Sequence, residues 1–210
     1  MIFFNLLSMP MFYFGYSSFL NDQNRESGFS FWALFKGLLW FIPSMIIYLL
    51  LHDLFSLSYV GVKHFFYIFF TDYLLFSLLA MAGYLLLLGL SAPYEKGGSV
   101  KDVVAYFSGF FLGVNIFNLV IHGNELSFFL LFVIPFIRIL QVYFLSFLMD
   151  KFSEGDGFQR IVWALAMVVA LLILCFVHFF YKVNMPVFFI IFSLLSLAAC
   201  PLSYYFLKDL

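Results

Sequence analysis

The residues that carry chemical information in this chain are the polar ones set inside long apolar runs. Arg138 stands about twelve residues into such a run, which is about 18 Å along a helix and near the middle of a bilayer. Asp72 stands about eight residues into another run that crosses in the same direction. Charged groups in hydrocarbon are expensive, so they face a bundle interior, a partner charge or water. An arginine and an aspartate at neighbouring depths fit a buried ion pair that sets helix register, an arginine snorkelling to a headgroup, or a gate or substrate contact.

A third run carries Ser108, Asn115, Asn118 and His122. Their spacing puts all four on one helix face, with Gly109 and Gly113 beside them as a GxxxG pair. Small residues let a second helix come close, and amides then hydrogen-bond across the contact. The stripe therefore reads as helix packing, with a polar cavity as the sharper alternative. Phe111 points away from the glycine pair. His52, Asp53, His122, Glu125 and His178 gather near span ends on one side, and these residue types can bind a metal that activates water. Their spacing matches no specific zinc motif, so no metal ligand is assigned. No Gly-rich phosphate loop, G-x-S-x-G or H-E-x-x-H occurs either. No catalytic residue and no cofactor are expected.

These side chains need elements to hold them, and the composition says which. The chain has 210 residues, 65% hydrophobic and 10% charged, with a mean hydropathy of +1.08. Soluble domains carry about 25% charged residues, and a soluble fold with this composition would expose large apolar patches. A bilayer is the solvent that fits. Six apolar runs are long enough to span it as helices: Phe31–Leu54, His64–Leu90, Val103–Ile121, Leu126–Met149, Ile161–Tyr181 and Pro186–Leu207. The expected fold is thus all-α, a polytopic transmembrane helical bundle of about six spans. Residues 31–210 form the membrane domain. Residues 1–30 form an apolar segment and polar linker.

The N-terminal segment Met1–Leu20 is apolar but interrupted by Asn5, Pro10 and Gly15, which predicts an interfacial or re-entrant helix, with a seventh span as the rival. It lacks a basic n-region and a cleavage site and is read as part of the mature protein. Polar loops are expected at Asn21–Ser30, Ser91–Asp102 and Asp150–Arg160. Arg25, Lys36, Lys96, Lys101, Lys151, Arg160 and Lys208 fall on one side and Lys63 and Lys182 on the other. The positive-inside rule then puts both termini in the cytoplasm, most simply at a bacterial inner membrane. The formal charge of −1 provides no field for nucleic acid. Cys175 and Cys200 read as reduced packing thiols.

Three stretches resemble the Ypt-interacting-protein (Yip) domain family of small polytopic membrane proteins. They are LLSMPMFYFGYSSFL around Pro10, GGSVKDVVAYFSGFFLG over Gly97–Gly113 with Tyr106 at the family's tyrosine, and LSFLMDKFSEGDGFQRIVWALA, whose last helix begins at the basic Arg160. The family's proline shortly after the tyrosine has no counterpart in Phe107–Gly113. The family has no agreed catalytic residues, and its eukaryotic members are linked to small GTPases and vesicle traffic. The resemblance implies a membrane-embedded partner protein, not a reaction. The expected function is therefore non-enzymatic: membrane organisation, or binding of a membrane-protein partner or a second copy. The alternative is a transporter or permease subunit with a polar path at Asp72, Asn115, Asn118 and Arg138. A metal-dependent hydrolase on the outer His/Asp/Glu set is the third reading.

Overall fold

The runs that must satisfy their own backbone in lipid do so as helices. The structure, a computed structural model, describes residues 2–22, 30–55, 62–89, 100–122 and 127–207. The helices are α1 (Ile2–Asp22), α2 (Phe31–Phe55), α3 (Val62–Ile68), α4 (Phe76–Tyr84), α5 (Val100–His122), α6 (Ile134–Glu154), α7 (Gly157–Lys182) and α8 (Pro186–Leu207). Among the described residues, three π-helical segments, Phe69–Leu75, Leu85–Gly89 and Phe129–Val133, continue or precede these helices without a break. Among the described residues, five helical stretches are long and apolar enough to cross a membrane: Phe31–Leu51, His64–Leu87, Asp102–Ile121, Phe129–Met149 and Gly157–Lys182. The sixth expected span, α8, is a 22-residue helix whose Pro186–Ala198 portion is apolar. The protein is an all-α transmembrane bundle.

Helices α5 and α6 are the most deeply buried. α2 packs along α5 in the most extensive helix pair, α7 packs on α6, and α8 lies outermost on α7. Three glycines explain how closely α2 and α5 approach. A Cβ on Gly37 would overlap the backbone carbonyl of Tyr106, and one on Gly109 would overlap that of Leu34. A Cβ on Gly113 would meet the Phe41 ring. In lipid no hydrophobic force drives helices together, so close van der Waals contact of this kind supplies much of the attraction.

The N-terminal helix is not laid across the surface. α1 packs against α5, α6 and the π segment before α6, with Met9, Tyr13 and Asn5 fully buried. Asn5 reaches Leu130 near one end of the α6 span, while the Tyr13 hydroxyl accepts the Ser30 backbone N–H at the start of α2. α1 is one unbroken 21-residue helix with one face packed into the bundle.

Asp150–Arg160, expected as one of the long loops, is nearly all helix. α6 runs to Glu154 and α7 starts at Gly157. The Asp156 side chain accepts from the Gln159 N–H at 3.0 Å, and the Gln159 side chain accepts from the Asp156 N–H at 3.2 Å. This capping box satisfies two N–H groups at the helix start, so two residues suffice for the turn.

Candidate functional site

Several buried polar groups meet where the helices depart from α-helical winding. A π turn takes hydrogen bonds five residues apart, so a carbonyl at its edge can lose its backbone donor. Each of the three π segments has a carbonyl that accepts from a side chain of another helix. Arg138 Nη1 donates to Asp72 O at 2.8 Å, Asn5 Nδ2 to Leu130 O at 2.7 Å, and Lys36 Nζ to Leu87 O at 3.2 Å. The sequence accounts for one of these directly. The Ile134 N–H bonds Phe129 O, so the π register would assign the next N–H, that of residue 135, to Leu130 O. Residue 135 is proline and has none. Asn5 supplies the missing donor from α1.

At Asp72 the Phe76 N–H, which an unbroken α-helix would offer to the Asp72 carbonyl, goes to Tyr73 O. Arg138 fills the place. The expected carboxylate ion pair is therefore replaced by a bond to the backbone of the same residue. The Asp72 carboxylate accepts instead from Tyr48 OH at 3.5 Å and lies 3.2 Å from Thr71 Oγ1, whose single proton also faces Tyr67 O at 2.8 Å. The side chain turns away because the π turn presents its carbonyl, not its carboxylate, to α6.

Arg138 is 3% exposed. Its Nη1 also donates to Gln141 Oε1 at 2.6 Å, and Gln141 Nε2 donates to Ser77 Oγ at 2.8 Å. Tyr73, Phe111 and Phe76 rings lie 5.4, 5.6 and 5.9 Å from the guanidinium carbon. An aromatic face attracts a cation most strongly where water is excluded. Phe111 is thus part of this cluster, fully buried, and not the detached residue its spacing from the glycines predicts. His178 lies on the other side of Tyr73. Its Nδ1 is 3.1 Å from the Tyr73 hydroxyl, and its ring stands 4.8 Å from that of Phe129. It faces the bundle interior, so the outer metal set loses this member. The side chains of His52, Asp53 and His122, and all of Glu125, lie outside the described residues.

On α5 the predicted stripe divides. Asn115 is fully buried and its Nδ2 lies 3.4 Å from Asn5 O, so this face meets α1, while Gly109 and Gly113 meet α2. Ser108 is buried with no hydrogen-bond partner among the described residues, and Asn118 is half-buried one turn beyond Asn115. Sequence reasoning missed Gln141, Asn5, Lys36 and Gly37. Gln141 was detectable, since it sits three residues after Arg138 on the same helix face. Cys175 is a free, buried thiol against α3, with Sγ 4.0 Å from Phe65 O. No protein-family model, no curated protein and no solved structure matches this chain.

Proposed function

We propose that this chain is a Yip-like, non-enzymatic protein of the bacterial inner membrane, with both termini cytoplasmic, that binds a membrane-protein partner or a second copy through its outer helices. One observation carries this reading. Arg138, Gln141, Asn5 and Lys36 each tie one helix to another, which leaves the outer faces as the working surface. α8 is the least embedded element. Val187, Ile190, Leu194 and Leu195 are each more than half exposed, and Ser196 is its one buried residue among those described. A helix that contributes so little to its own core is suited to packing on another chain by van der Waals contact.

The test is photo-crosslinking in living cells from residues placed at Ile190 and Leu194. A discrete protein adduct from α8, absent when the probe sits at the exposed Leu78 of α4, supports the reading. Lipid adducts alone from every position refute it. The transporter reading is favoured by a different observation: Asn5 Oδ1, Asn115 Oδ1, Ser108 Oγ and His178 Nε2 are buried without partners among the described residues, as expected of groups that meet a passing solute or water. Cysteines at Ser108 and Asn118 that react with small charged reagents from both sides of the membrane would select transport instead.

A further inference from the structure

We propose that α1 is a strap over a neutral polar seam on α5, and that the seam opens to admit a small uncharged hydrogen-bond donor of the amide or alcohol type. α1 turns one face inward at a four-residue spacing: Asn5, Met9, Tyr13 and Ser17, each fully buried. Asn115 on α5 meets this face, with its Nδ2 3.4 Å from Asn5 O. Ser108 lies seven residues before Asn115, two turns along the same face of α5. Four atoms on these two faces have no hydrogen-bond partner among the described residues: Asn5 Oδ1, Ser17 Oγ, Ser108 Oγ and Asn115 Oδ1. All four residues are fully buried, and Asn5 and Ser17 stand about 18 Å apart along α1.

A permanent helix contact gains nothing from buried polar atoms left unpaired, and apolar side chains of the same size would pack there at no such cost. The bonds already made show what is missing. The amide nitrogens of Asn5 and Asn115 are spent on Leu130 O and Asn5 O. Their free oxygens only accept, so they need a donor, while the serine hydroxyls take either role. α1 has no charged residue before Asp22, and α5 has none between Val103 and Ile121. Arg138, the charge within the α6 span, turns to Asp72 O. Such a seam has nothing to offset the cost of taking an ion from water, so the occupant is uncharged. The groove that receives it is the footprint of α1 itself, and with α1 in place the seam is shut. One tie on the strap is the Tyr13 hydroxyl, which accepts the Ser30 N–H at the start of α2. Admission to the seam does not require passage across the membrane, so a failed test of transport leaves it intact.

The full chain, purified in detergent, is alkylated with iodoacetamide, an uncharged amide, or with iodoacetate, its anionic counterpart. Ser108→Cys in a background lacking Cys175 and Cys200 reports on the seam. Cys175 in a chain lacking only Cys200 reports on loosening of the bundle as a whole, since it is equally buried and lies against α3. Rates are normalised to those of a free thiol. Iodoacetamide is expected to alkylate Ser108→Cys about tenfold faster than Cys175, because opening one element costs less than opening the core. Iodoacetate should react with Ser108→Cys no faster than with Cys175. Tyr13→Phe removes the tie to Ser30 and should raise the Ser108→Cys rate severalfold without changing that of Cys175. If Ser108→Cys does not fold, Ser17→Cys on the α1 side of the seam repeats the measurement. Equal rates at the seam and at Cys175, or a seam rate indifferent to Tyr13→Phe, overturn the strap. A seam rate with iodoacetate equal to that with iodoacetamide overturns the uncharged class of ligand.

Discussion

Replacing Gly109 by alanine adds one methyl group where there is no room for it. The new Cβ would overlap the Leu34 carbonyl, which belongs to the α2 backbone and cannot rotate aside. The helices must separate, and the adjoining contacts at Gly37 and Gly113 loosen with them. Overpacking costs about 1–3 kcal/mol, and a backbone obstacle puts Gly109→Ala at about 3 kcal/mol. For a chain of this size about 2–4 °C follows each kcal/mol, so the melting temperature in detergent should fall by about 6–12 °C. Gly113→Ala meets the Phe41 ring, a side chain that can turn, and should cost about 1 kcal/mol. Gly15 has nothing within 4 Å of its Cβ position, so Gly15→Ala should be neutral or slightly stabilising through helix propensity. Phe111 is unsuitable as a silent control because it is buried over Arg138. Thermal unfolding of the three glycine variants decides the matter. If Gly109→Ala and Gly15→Ala melt together, the close approach of α2 to α5 is wrong.

Other expectations follow from single bonds. Asn5→Ala should destabilise by about 1–3 kcal/mol by leaving Leu130 O without a donor. The loss should shrink in a Pro135→Ala background, which restores a backbone N–H; strictly additive melts would show that Pro135 does not create the vacancy. Gln141→Leu should destabilise by more than an ordinary neutral hydrogen bond, about 2–4 kcal/mol, since it strips one acceptor from buried Arg138 and a partner from Ser77; a change below 0.5 kcal/mol in chemical denaturation would contradict the network. Asp156→Ala should cost about 1 kcal/mol through the lost capping box, read as earlier melting. In a background lacking Cys175 and Cys200, a cysteine at Phe158 should be labelled from the cytoplasm and one at Met185 from the opposite side; labelling of both from one side would refute the orientation.

The span boundaries were legible in the sequence because the length of an apolar run is a local property, and lipid restricts such a run to helical winding. Arg138 was equally legible, since a charge at mid-bilayer must turn inward whatever surrounds it. Gly109 and Gly113 declared a close contact, because a missing side chain gains nothing against lipid. The identity of the partners was not legible. Whether Arg138 meets the carboxylate or the carbonyl of Asp72 depends on a π turn, a shift of one residue in hydrogen-bond register that apolar side chains do not announce. Pro135 announces a lost N–H, yet only the docking of α1 shows that Asn5, 125 residues from Leu130 in the chain, replaces it. Gly37 looks like any helix glycine until α5 lies against it. Periodicity tells which face of a helix is special; which helix stands opposite, and at what register, is decided by packing the whole bundle at once.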